Sequence, residues 1–202
     1  MRFVNLKAIY AKPRTTIIDK NNDKNKHPYL LKDLEVNQAN QVWSTDITYI
    51  KMPKGFVYLV ALIDIHSRFV VAHKLSICMD TEFCLDVLNQ GLKQNKPNII
   101  NSDQGSQFTS NDWINCLKSN DIKISMDGVG RWADNIYIER FWRTIKQEQI
   151  YINPSDNISD LKQQIDSFIE FYNHQRPHQA LKYQTPSQVF YGDKMRRKEL
   201  VF

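Results

Sequence analysis

Residues 42–65 read VWSTDITYIK-MPKG-FVYLVALIDI, and this stretch decides the fold. Val42–Lys51 is rich in β-branched and aromatic residues, Pro53-Lys54-Gly55 is turn chemistry, and Phe56–Ile65 is almost wholly apolar. Two such runs around a short turn predict an antiparallel hairpin. The second run suits a strand covered on both faces. After a His66-Ser67 break, Arg68–Ile77 predicts a third strand.

Downstream the period changes from two to about 3.6. Met79–Gln94 predicts a helix with Phe83, Val87, Leu88 and Leu92 inward. Pro97–Ser102 reads as a short strand ending at Asp103, Ser110–Asn120 as a helix, and Ile122–Met126 as a strand closed by Asp127-Gly128. Ala133–Ile150 and Ile158–His174 follow as helices, the last with Leu161, Ile165, Phe168 and Tyr172 on one stripe and Pro177 beyond its end. The order predicts an α/β domain, a mixed central sheet of about five strands flanked by helices, with a helical C-terminal extension. The chain divides into a polar linker at 1–40, a core at 41–153, and a helix with a basic tail at 154–202.

Composition bounds the function. The chain has 202 residues, a net charge of +5, 42% hydrophobic and 11% aromatic residues, values of a globular domain with a modest preference for polyanions. Cys78, Cys84 and Cys116 form no C-x-x-C pair and read as small buried hydrophobes of a reducing compartment. The longest apolar run has ten residues and includes Asp64, too short for a bilayer that needs about 20. The expectation is a cytoplasmic protein with no membrane partner.

Three acidic residues carry the chemistry. Asp46 lies in the first strand, Asp103 follows Asn101-Ser102 at the end of a strand, and Glu139 lies on a helix in Asp134-Asn135-Ile136-Tyr137-Ile138-Glu139-Arg140-Phe141-Trp142. Carboxylates gathered in a basic chain suit Mg²⁺ held against a phosphate backbone. On the third helix Ile138, Phe141, Trp142 and Ile145 form the apolar stripe, while Glu139, Arg143 and Lys146 share another face, one carboxylate beside two cations. Asp64 is read as a structural carboxylate bonded to Ser67 or Arg68. His174 and His178 lack the surroundings of a zinc protease, and Lys194–Lys198 reads as a solvated tail.

These phrases resemble the catalytic domain of insertion-sequence-three family transposases, second-frame products related to retroviral integrases. The resemblance runs through Trp43-Ser44-Thr45-Asp46, Asp64-x-x-Ser67-Arg68, Ser102-Asp103-x-Gly105-Ser106-Gln107-Phe108, Asp134-Asn135-x-x-x-Glu139 with Lys146, Asn173-x-x-Arg176-Pro177-His178 and Thr185-Pro186. Thirty-five residues separate Asp103 from Glu139, the family's gap. It departs at Asn101, commonly His, and Phe108, often Tyr.

The resemblance implies an RNase H-like fold and a metal-binding catalytic triad of Asp46, Asp103 and Glu139. It implies Mg²⁺ or Mn²⁺, two ions per site, DNA 3′-end nicking and strand transfer. DNA contacts are expected from Arg143, Lys146, Arg176, Gly105 and Gln107. Expected partners are element ends and target DNA, further copies of this chain, and a first-frame transposase protein. Residues 1–40 are too short and polar for the family's helix-turn-helix segment. The alternative is therefore a truncated, non-enzymatic DNA-binding remnant. A nuclease on RNA–DNA hybrids shares the fold but not the phrases.

Overall fold

The structure is a computed structural model, describing residues 25–128 and 135–192. The expected tail at Lys194–Lys198 and Asp134 lie outside the described residues.

The hairpin forms as its sequence dictates. β1 (Val42–Met52) pairs antiparallel with β2 (Gly55–Asp64) from Trp43↔Asp64 to Met52↔Gly55, and β2 pairs antiparallel with β3 (Val70–Ser76). Gly55 turns the chain with φ +94°, a left-handed conformation that a side chain would strain. β4 (Ile99–Ser102) joins β1 in parallel and β5 (Lys123–Met126) joins β4 in parallel, giving the order β3-β2-β1-β4-β5. The mixed five-stranded sheet is as expected.

Helices cover both faces. α1 (Thr81–Leu92) is capped by Asp80 and α2 (Asn111–Ser119) by Ser110, each accepting a backbone N–H of the first turn. Their buried Phe83, Val87, Leu88, Trp113 and Leu117 join Trp43, Val60 and Leu62 in one core. On the other face, α3 (Ile136–Ile145) and α4 (Ile158–His174) bury Ile138, Phe141, Trp142, Ile145, Leu161, Ile165 and Phe168 against Ile50, Leu59 and Ile63. The helical stripes read from the sequence are buried, Leu92 only in part. α3 ends in one π turn over Lys146–Ile150, closed by Tyr151 N–H donating to the Lys146 carbonyl at 2.9 Å.

Other findings add to the sequence reading. A short helix α5 (Pro186–Tyr191) was not expected; Thr185 and Gln188 form a reciprocal capping box at its start, with proline in the first turn. Residues 25–40 lie along the sheet's end. The Met126 N–H donates to the Pro28 carbonyl, the Leu30 N–H to Ser125 Oγ at 3.0 Å, and Leu31, Leu34 and Val36 pack on Val42, Ile65 and Ile99. Of the cysteines only Cys84 is buried; Cys78 is exposed and Cys116 half-buried, which corrects the buried-hydrophobe reading for those two. No described helix is long and apolar enough to cross a membrane.

Candidate active site

Asp46 is the fifth residue of β1, placed where that strand runs past the end of β4. β1 and β4 pair through Val42–Ser44 and Ile99–Asn101, so continuing the register brings Asp103, two residues past Asn101, level with Asp46. The third carboxylate arrives on α3. Its first turn is tied to β1 by Asn135, which is buried, accepts from the Ser44 hydroxyl, and donates to the Thr45 carbonyl at 3.3 Å. Two turns on, Trp142 donates its indole N–H to Asp46 Oδ2 at 2.9 Å. Lys146 donates to Thr48 Oγ1 at 2.7 Å. α3 thus runs alongside β1 with Asn135, Trp142 and Lys146 as successive ties and Glu139 exposed between the first two.

The electrostatics couple the three acids. Burial pushes the Asp46 carboxyl up to about 6; the Trp142 hydrogen bond opposes this, Asp103 raises it further, the Ile47 N–H opposes, and Glu139 raises it again. Like charges within interaction range favour a cation between them. Burial lowers the Lys146 ammonium and Asp46 partly restores it, so this amine senses the same carboxylate. Among the described residues, no three His, Cys, Asp or Glu side chains are close enough to enclose an ion as they stand. Asp103 and Glu139 are both exposed, and mutual repulsion favours their separation. The donor set of hard carboxylate oxygens fits Mg²⁺ or Mn²⁺.

The Asp103 loop is built around its carboxylate. Gly105 N–H donates to Asp103 Oδ1 at 2.9 Å, and a Cβ on Gly105 would meet that same oxygen at 2.9 Å. Gln107 instead holds the neighbouring loop, donating to the Met79 carbonyl at 3.1 Å. Asn101 donates to Asp127 Oδ1 and accepts from Ser125 Oγ, both at 2.7 Å. Phe108 is buried edge-on against Trp113, in a place that asks for no hydroxyl.

The remaining expected residues lie apart. Arg143 is exposed on α3. Arg176 makes a two-pronged ion pair with Glu148, Nε–Oε2 2.9 Å and Nη2–Oε1 2.6 Å, and lies against His178 rather than the three acids. Asn173 of the same phrase exchanges two hydrogen bonds with the Val70 backbone and docks α4 on β3. Asp64 is fully buried and accepts from the Ser67 N–H and hydroxyl and the Asn40 N–H at 2.6–2.7 Å, the structural role expected of it. Sequence reasoning missed Asn135 and the polar role of Trp142. Asn135 had a signal, its place in the Asp134-Asn135-x-x-x-Glu139 phrase; Trp142 was read only as part of an apolar stripe.

The integrase core domain matches this chain twice, over residues 36–131 and 120–186. Among solved structures, the HTLV-2 integrase catalytic core domain in complex with magnesium superposes with a TM-score of 0.62 at 21% identity, covering 76% of this chain and 97% of that one. The BIV integrase catalytic core gives 0.62 at 15% identity, covering 79% and 99%. The fold is therefore that of an RNase H-like integrase catalytic core.

Curated relatives are closer in sequence. The transposase for insertion sequence element IS904 of Lactococcus lactis is 34% identical over 151 residues, 73% of this chain and 60% of that protein. An uncharacterized transposase-like protein of Haemophilus influenzae is 31% identical over 160 residues, covering 78% and 74%. Transposase InsF for insertion sequence IS3A of Escherichia coli is 31% identical over 153 residues, covering 74% and 53%. This chain belongs to the integrase core domain family and is similar to insertion-sequence transposases. It spans a little over half the length of both named transposases.

Proposed function

We propose that this chain is the catalytic part of a DDE-type transposase, acting in metal-dependent nicking of DNA at 3′ ends and in strand transfer. The observation that carries the reading is placement: the β1–β4 register sets Asp103 level with Asp46, and Asn135 and Trp142 tie the helix that carries Glu139 to β1. Asp46, Asp103 and Glu139 would hold Mg²⁺ or Mn²⁺, two ions in the family's manner. Bound there, the metal would supply Lewis-acid activation of water or a 3′-hydroxyl and neutralise charge on the phosphate under attack.

The chain's own residues do the positioning. Trp142 holds Asp46 Oδ2, fixing the orientation in which the carboxylate would meet the metal. Gly105 keeps the Asp103 carboxylate close to its loop backbone. Asn135 sets the height of α3 on β1 and with it the place of Glu139. Lys146 and Arg143 follow Glu139 on α3 and would meet phosphate oxygens beside the metal. Gln107 and Arg176 stand as further DNA contacts, the latter after exchanging Glu148 for phosphate. The partners are those the family resemblance implies: element ends, target DNA, further copies of this chain and a first-frame protein, acting in the bacterial cytoplasm.

The test is cleavage of a labelled end-bearing duplex with Mg²⁺, Mn²⁺ or EDTA. The reading expects nicks that need metal and vanish in Asp103→Asn. Metal-independent nicking, or a folded Asp103→Asn protein that still cuts, would contradict it.

A further inference from the structure

The surface beyond the three acids carries an unexplained feature. Past Ser44, β1 has no strand on its β4 side among the described residues, and its free edge continues to the hairpin tip. There Tyr49 is 62% exposed and Phe56 52% exposed, the two rings meeting edge-on at 5.6 Å. The strand's alternation places Tyr49, Lys51 and Phe56 on one face, since Lys51 pairs with Phe56. Lys146 reaches across the free edge from α3, its ammonium 5.2 Å from the Tyr49 ring centre. A groove of about 510 Å³ separates Tyr49 from Tyr151, itself 70% exposed, and adjoins a second of about 710 Å³ reaching Lys54 and Phe56. One carboxylate, Asp156, lies where the grooves meet.

Lysines alone on an exposed strand would be edge protection. Aromatic rings beside them are a different matter, because bare rings gain nothing from water and do not blunt an edge. Rings interleaved with cations are the chemistry of single-stranded nucleic-acid binding: every base offers a π-face to stack, and the ammonium groups meet the phosphates between bases. A duplex, its bases already stacked, can use only the cations. The patch is also continuous with the acids. Tyr49 is three residues past Asp46, about 10 Å along the strand, and Lys146 belongs to both places.

We infer that Tyr49 and Phe56, with Lys51, Lys54 and Lys146, form a stacking platform for unpaired nucleotides flanking the scissile phosphate. The strand would curl round the free edge of β1, since Tyr49 faces away from the Asp46 side of the sheet. This rests on the proposed function for the identity of the polymer, but its test does not need catalysis.

Binding of a labelled oligothymidylate and of a blunt duplex is measured by fluorescence anisotropy in EDTA, with the whole chain. Tyr49→Ala and Phe56→Ala should each weaken oligothymidylate binding about tenfold and duplex binding less than about twofold. Tyr49→Phe should bind as the wild type does, because the ring is kept. Lys51→Ala should weaken both probes and reduce the salt dependence of binding. Melting temperatures should not move, both rings being exposed. Equal losses on the two probes, no loss for Tyr49→Ala, or Tyr49→Phe as harmful as Tyr49→Ala would overturn the platform. So would variants that change only self-association by sedimentation, which would make the patch a contact between copies. A wild type that never cuts but shows the selective loss refutes the proposed function and keeps the platform; a metal-dependent nuclease with no selective loss does the reverse.

Discussion

Asp46 and Asp64 stand on neighbouring strands, both raised by burial, and nothing in their composition separates them. Their surroundings do. Asp64 is enclosed and accepts three hydrogen bonds from Ser67 and Asn40, and the turn that supplies them also sets the left-handed Arg68 at φ 65°. Asp46 has one side-chain donor, Trp142, and its carboxyl is raised further by the charges of Asp103 and Glu139. A carboxylate whose oxygens are satisfied holds a turn together; one left short of donors beside like charges suits a cation.

The largest expected difference is catalytic. Asp103→Asn and Glu139→Gln should each lower metal-dependent cleavage by about a thousandfold or more, since metal stabilisation of the transition state is worth several kcal/mol. Asp64→Asn, if folded, should cut at a rate close to that of the wild type. A gel assay on the four proteins checks this, and an Asp64→Asn protein that is folded but as dead as Asp103→Asn would erase the distinction.

Stability should divide the two residues in the opposite sense. Asp64→Ala leaves three donors without an acceptor and should cost about 3 kcal/mol. Asp46→Asn should stabilise the metal-free protein. The Asp46 carboxyl rises from 3.8 to about 6 on folding, so its contribution is favourable below pH 3.8 and is lost as pH climbs through 6. At pH 7.5 the ionised group costs up to about 3 kcal/mol, relieved in Asp46→Asn, with little gain at pH 4. Urea unfolding in EDTA at both pH values reads this directly; a destabilised Asp46→Asn at pH 7.5 would contradict it.

A smaller effect belongs to His178. Burial, then Arg176 and Arg68, hold its imidazole down at about 4 from 6.5. The neutral ring therefore stabilises the fold above pH 6.5, and that contribution fades as pH falls through 4. In His178→Gln the loss of stability between pH 7 and pH 4.5 should shrink by about 1 kcal/mol, discounted for partial exposure. Of comparable size is Gly105→Ala, whose Cβ would press on Asp103 Oδ1; cleavage should fall roughly tenfold with an unchanged melting temperature.

The difference between the two aspartates also marks what the sequence could tell. β1, β2 and the apolar stripes of α1, α3 and α4 were legible because burial writes a period of 2 or 3.6 into the chain. The three acids proposed as the site were picked out by their phrases, not by any period. Asn135 reaching Ser44 and Thr45, and Trp142 reaching Asp46, span about ninety residues and leave no local period. α5 was missed because six residues are too few for periodicity, although Thr185-Pro186-Ser187-Gln188 spells a capping box. Residues 25–40 read as a linker because their contacts are mostly single hydrogen bonds to β5 and α2, with a few apolar contacts at 31–36.

The most direct test is calorimetric titration of Mn²⁺ into the wild type, Asp46→Asn, Asp103→Asn, Glu139→Gln and Asp64→Asn. The account predicts binding by the wild type and by folded Asp64→Asn, and at least a tenfold loss of affinity in each of the other three. Undiminished Mn²⁺ binding by Asp46→Asn, or binding abolished in a folded Asp64→Asn protein, would contradict it.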